Sequence, residues 1–245
     1  MSMNGQHQGV FLPTALFIPG LLSDARVWAP VSDSLAGGMK VYNADVSAMT
    51  GIAAAAAGLL AAVDGPLLPV GHSMGGRIAL EMARQAPGRM AGLILADTGH
   101  HPLRPGEVAK REEMIALGHR DMAALADAWL PPMLHPDRAG DAALMDDLRA
   151  MVLAAGPEVH ERQIRALIGR PDAAPHLGAI AAPVLLLVGR QDGWSPVAQH
   201  EEIAAAVADA EVVVIEDAGH FAPAEQPQAV VAAVQDWLHR KGLMP

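Results

Sequence analysis

Short, uninterrupted apolar runs punctuate this chain, and longer stretches of helical periodicity fill the intervals between them. Ala15-Leu16-Phe17-Ile18, halted by Pro19-Gly20, reads as a first strand and Lys40-Val41-Tyr42 as a second. Leu67-Leu68-Pro69-Val70, Leu93–Ala96, Val184–Val188 and Val212–Ile215 complete the set. Runs that are apolar throughout, rather than alternately apolar and polar, fit strands covered on both faces. Strands that alternate with helices predict an α/β fold: a mostly parallel, doubly wound sheet of about six strands. The expected helices include an Ala-rich one over Ile52–Val63 and one from near Met74 with Ile78, Met82 and Ala86 on one face, stopped by Pro87-Gly88. The last, over Gln228–Leu238, turns Val230, Val231, Val234 and Trp237 inward. From Gly99 to about Leu177 the strand signal stops. Met- and Ala-rich amphipathic stretches replace it, broken at Pro131-Pro132, Pro136, Pro157 and Pro171. The chain therefore divides into a core, 1–98 with 178–245, and a helical lid inserted between sheet strands, 99–177. Such a lid covers the carboxyl ends of the strands, where open α/β sheets bind ligands.

The strongest chemical signal is Gly71-His72-Ser73-Met74-Gly75, between a buried strand and a helix. Small residues on both sides allow a sharp turn that leaves the Ser73 hydroxyl exposed; the bland alternative is a serine that merely caps the helix. A serine hydroxyl is a weak nucleophile until a base takes its proton. His220, in Asp217-Ala218-Gly219-His220-Phe221 after the final strand, is the expected base. Asp192, in Gly189-Arg190-Gln191-Asp192 after the preceding strand, is the expected acid that holds the imidazole's tautomer. Asp97, after the strand Leu93–Ala96, is a rival acid; Asp217 lies so close to His220 in sequence that it reads as a surface turn residue. The oxyanion donors expected are the backbone N–H groups of Met74 and of Leu21, in the turn Pro19-Gly20-Leu21-Leu22.

These motifs together resemble the α/β-hydrolase superfamily over nearly the whole chain, and within it small bacterial esterase-like serine hydrolases with a helical cap. The resemblance implies the triad and oxyanion roles above. The sequence departs from it in three ways. Pro19-Gly20 stands where many members have His-Gly, the loop after the second strand is short, and little chain precedes Ala15 for two leading strands, leaving room for a short edge strand over Val10–Leu12. Ser73 excludes relatives whose nucleophile is a carboxylate. The stretch Ser73-Met74-Gly75-Gly76-Arg77 also resembles menaquinone-pathway members, but no matching arginine set is evident in the lid.

Composition narrows the remaining choices. The 245 residues carry no cysteine, which excludes disulfides, thiolate zinc sites and a cysteine nucleophile. A formal net charge of −10 with scattered Lys and Arg argues against nucleic acid as a partner. Met1–Val10 lacks the pattern of a signal peptide, and the Ala-rich run is short of a membrane span, so a cytoplasmic monomer or homodimer is expected. No cofactor and no metal are expected. His100-His101 reads as a pair facing the pocket mouth without a third ligand, and no arginine cluster is placed to grip a phosphate. The substrate expected is a small to medium carboxylic ester, held by Leu22, Trp129 and Met133, with Met114, Met122, Met145 and Met151 nearby. Lactone, amide or carbon–carbon hydrolysis by the same triad is the alternative, and a non-catalytic ligand receptor a more distant one.

Overall fold

The computed structural model describes residues 12–138 and 140–244. Its sheet has six strands: β1 Thr14–Ile18, β2 Val41–Asn43, β3 Leu67–His72, β4 Leu93–Ala96, β5 Val184–Gly189 and β6 Ala210–Ile215. All neighbours pair in parallel, in the order β2-β1-β3-β4-β5-β6. The edge strand expected over Val10–Leu12 falls on residues 1–11, outside the described residues, apart from Leu12, which is not in a strand.

Alternation along the buried strands divides the core in two. Leu16, Ile18, Leu93, Leu95, Val184 and Leu186 face α2 (Ile52–Ala62), α3 (Met74–Gln85) and α7 (Val197–Ala206). Ala15, Phe17, Ile94, Ala96, Leu185 and Leu187 face α1 (Ala29–Leu35) and α9 (Pro227–Arg240). Both faces are dry, so a continuous apolar run is the only composition that satisfies the central strands. On α9, Val230, Val234 and Trp237 are buried as expected, while Val231 is half-buried, one residue round the helix from the contact stripe.

Between β4 and β5 the described residues form helices and no strand. α4 (Glu107–Arg120) and α5 (Met122–Trp129) precede α6 (Ala142–Ile168), which Gly156 and Pro157 break into two pieces. Pro157 lacks an N–H and Gly156 takes a positive φ of 76°, so the helical ladder cannot continue through them. A third apolar cluster joins α5 and α6 to the core: Leu125, Trp129, Met133, Met151 and Val152 pack with Leu22, Val27 and Phe221. A short helix α8 (Ala222–Glu225) lies between β6 and α9. No described helix is long and apolar enough to cross a membrane.

Candidate functional site

The strand order reverses direction between β1 and β3, since β1 leads outward to β2 and the chain then returns to the other side. Open α/β sheets form a crevice at such a point, beyond the carboxyl ends of the two strands. Here those ends carry Pro19–Leu22 and Ser73. Ser73 stands between β3 and α3 with φ 52° and ψ −111°, a conformation that side chains rarely adopt and that costs on the order of 1–3 kcal/mol. The surroundings enforce it. A Cβ at position 75 would collide with the Ile18 carbonyl, so Gly75 lets α3 start hard against β1. The Ser73 N–H donates to the Ala96 carbonyl at 2.9 Å, and the Thr98 hydroxyl donates to the Ser73 carbonyl at 2.6 Å. The Ser73 side chain makes no capping bond to α3.

Its Oγ lies 2.8 Å from His220 Nε2, and His220 Nδ1 lies 2.8 Å from Asp192 Oδ2. The other carboxylate oxygen of Asp192 accepts the N–H groups of Trp194 and Ser195 at 2.8 and 2.9 Å. Burial alone would raise the Asp192 carboxyl, but His220 and these two N–H groups hold it below the ordinary carboxylate range. An ionised Asp192 accepts the hydrogen bond from Nδ1–H, which leaves Nε2 of His220 as the acceptor facing Ser73. The structure thus brings together the three residues that the sequence singled out, from loops 119 and 28 positions apart.

Asp97 makes no hydrogen bond to His220. Its two oxygens accept the Gly189 N–H at 2.9 Å and the Ala222 N–H at 3.0 Å, tying the end of β5 to the segment after His220. Burial, then the nearby Asp192, pushes its carboxyl well up. Asp217 is exposed.

Two backbone N–H groups at the ends of β1 and β3 are left without a partner among the described residues. The turn after β1 is held by Leu22, whose φ is 53° and whose N–H donates to Gln163 Oε1 at 2.8 Å. That bond spans from the core to α6 and consumes the Leu22 donor. Leu21 and Met74 are left with N–H groups that have no partner among the described residues. Gly20 is required in this turn because a Cβ there would lie 2.8 Å from His72 Nδ1.

Several supporting residues escaped the sequence reading. Neutral His72, whose pKa burial pushes down to about 3, donates Nε2–H to the His220 carbonyl at 2.7 Å. Its 3.9 Å approach to Asp97 is therefore not an ion pair. His200 is held down to about 4, chiefly by burial; it accepts the Thr98 N–H at Nε2 (3.2 Å) and donates Nδ1–H to the Pro196 carbonyl (3.2 Å). Glu225 accepts N–H groups from Gly219, Phe221 and His135 at 2.9, 3.2 and 2.7 Å, and the His220 N–H donates to the Met133 carbonyl at 2.6 Å. These bonds fasten the His220 loop to the lid. Only the position of His72 inside the Ser73 motif marked any of them in the sequence; Gln163, His200 and Glu225 sit in unremarkable helical surroundings.

Leu22, Trp129 and Met133 come together in the apolar cluster over Phe221, with Met151 in its core and Met114, Met122 and Met145 at its margin. Trp129 meets Phe221 edge-on at 6.1 Å. A cleft of about 380 Å³ opens beside the Leu21-Leu22 turn, lined by Pro19, Asp24, Asp45, Met151 and Gln163 among others. A smaller one of about 180 Å³ lies behind α3, between Arg77, Arg84 and His176.

One sequence expectation needs correction. His100 and His101 do have a third potential ligand, Glu202, which α7 brings to them across 101 positions of sequence. Nearby arginines are engaged within the protein: Arg111 and Arg170 bind Glu107, and Arg77 donates to the His101 carbonyl at 2.9 Å beside them. Burial, then Arg170, pushes Arg77 down to about 9. Glu202 lies outside the lid, so spacing within the lid could not reveal its meeting with His100 and His101.

Comparison with known proteins bears on the family and the fold. Curated 2-succinyl-6-hydroxy-2,4-cyclohexadiene-1-carboxylate synthases resemble the chain; that of Salmonella newport (strain SL254) is 29% identical, over 89% of this chain and 91% of its own. A thermophilic esterase from Thermogutta terrifontis, solved with malate bound, superposes with a TM-score of 0.85 at 28% identity, over 94% of this chain and 90% of its own. The enol-lactonase of Burkholderia xenovorans LB400 shares the fold, with a TM-score of 0.80 at 24% identity over 93% and 91% of the two chains. A model described as "Alpha/beta hydrolase family" matches residues 15–234, from β1 through most of α9, and by that match the chain belongs to the alpha/beta hydrolase family.

Proposed function

We propose that this chain hydrolyses small to medium carboxylic esters with apolar parts, through an acyl-enzyme on Ser73. The observation that carries the reading is the relay Ser73–His220–Asp192, two bonds of 2.8 Å in series with an ionised acid at its end. In this mechanism His220 takes the Ser73 proton as Oγ attacks the ester carbonyl. The N–H groups of Leu21 and Met74 receive the oxyanion, each donor contributing about 2.7–4 kcal/mol. His220 then protonates the departing alcohol, and water repeats the sequence on the acyl-enzyme. Trp129 and Met133 from the lid and Leu22 from the core form the apolar wall against the acyl group.

The similarity to the synthases supports a second reading, in which the Ser73–His220 pair acts as a base on a carboxylate-bearing substrate. Arg77, one helical turn beyond Ser73, is the cation that favours it. Against it, Arg111 and Arg170 are already engaged by Glu107, while the wall next to His220 is apolar.

Initial rates on p-nitrophenyl esters from acetyl to palmitoyl, for wild type and Ser73→Ala, test the proposal. Turnover that disappears in the variant supports it. A folded wild type that labels with a fluorophosphonate but cleaves none of the esters refutes the ester reading.

A further inference from the structure

The loop that leaves β4 lies flush on α7. At Gly99 a Cβ would collide with the Gln199 side chain, so the two segments approach backbone to side chain. On α7, Ile203 turns into the core and His200 sits under Thr98, which leaves Glu202 facing the next residues of the loop, His100 and His101. Glu202 Oε2 is 3.4 Å from His100 Nε2 and 2.9 Å from His101 Nε2. The two imidazole rings are 4.0 Å apart at a tilt of 39°. One donor atom from each of the three residues falls within 4.8 Å of the others.

Those separations have a meaning beyond hydrogen bonding. A tetrahedral ion with bonds of about 2.0–2.1 Å holds its ligand atoms about 3.3 Å apart. We propose that His100, His101 and Glu202 form a binding site for a divalent transition metal ion of the Zn2+ class, outside the Ser73 site. Two imidazole nitrogens and one carboxylate oxygen are a borderline donor set, suited to Zn2+, Co2+, Ni2+ or Cu2+ and not to Mg2+ or Ca2+. The half-exposed side of Glu202 leaves the fourth position to water. Coordination requires neutral imidazoles. Glu202 and Asp172 attract a cation here and Arg77 opposes it. A bound ion clamps the loop between β4 and the lid onto α7.

The competing account is a pair of neutral imidazoles that both donate Nε2–H to Glu202, with no metal. Tag-free protein separates the two, because the chain's other histidines are unchanged in the variants. The probes are Zn2+ affinity by chelator competition, the absorption of Co2+-loaded protein, and the melting temperature with and without Zn2+. Wild type is expected to bind one Zn2+ per chain, to show the intense visible bands of tetrahedral Co2+, and to melt about 5 °C or more higher at saturation. Glu202→Gln and His101→Ala weaken Zn2+ binding at least tenfold and abolish the Co2+ bands, whereas His119→Ala, at another His–Glu pair, leaves both intact. Glu202 is half-exposed, so its variant tests the site even if His101→Ala misfolds. Zn2+ binding that is absent in wild type, or undiminished in Glu202→Gln, overturns the proposal.

Discussion

His200 makes stability depend on pH in a way that one substitution can isolate. It is fully buried, accepts the Thr98 N–H and donates to the Pro196 carbonyl, so only the neutral ring fits both bonds. Its folded-state pKa is held near 4, against about 6.5 for an unfolded histidine. The unfolded chain therefore binds a proton, and the folded chain does not, across the interval from about 6.5 down to about 4. The contribution is complete above pH 6.5 and is lost as pH falls through that interval, at up to about 1.36 kcal/mol per pH unit. Between pH 7.5 and 5.0 the loss integrates to about 2 kcal/mol for this side chain alone. That is a large part of a total stability of roughly 5–15 kcal/mol. Gln at this position keeps an acceptor for the Thr98 N–H and cannot titrate. Urea unfolding followed by circular dichroism at the two pH values should show wild type losing about 2 kcal/mol more than His200→Gln. Equal losses in the two proteins would refute the reasoning, since His200 would then be protonating in the folded state at its ordinary pKa.

Other expectations are as direct. Asp192→Asn should leave the fold intact while lowering kcat by about 10⁴-fold on an accepted ester, because His220 loses the partner that fixes its tautomer. Gln163→Leu leaves the Leu22 N–H without its buried acceptor, at a cost of about 1–3 kcal/mol. If the Leu21 turn relaxes as a result, kcat falls on the order of tenfold while KM changes little; an unchanged kcat would separate Gln163 from the oxyanion turn. Glu225→Gln points an amide NH2 at one of the three N–H groups now accepted by the carboxylate. Urea midpoints should report a loss of about 1–3 kcal/mol, and an unshifted midpoint would show that the His220 loop does not depend on this brace.

The chain's local chemistry was enough to specify the sheet and the three residues of the relay. Continuous runs such as Val184–Val188 can be satisfied only between two helical layers, and Gly71-His72-Ser73-Met74-Gly75 combines a strand end, a tight turn and a helix start in one place. His220 and Asp192 were legible for the same reason: each follows a strand directly, so parallel pairing delivers both to one edge of the sheet. Tertiary packing decided everything that rests on a partner distant in sequence. The bond from Leu22 to Gln163, the bond from His135 to Glu225, the pairing of Asp97 with Gly189 and Ala222 and the meeting of His100-His101 with Glu202 all depend on how α6, α7 and α8 lie against the core. A polar residue on a helix looks alike in sequence whether solvent or a buried N–H awaits it, because periodicity records only which face is apolar.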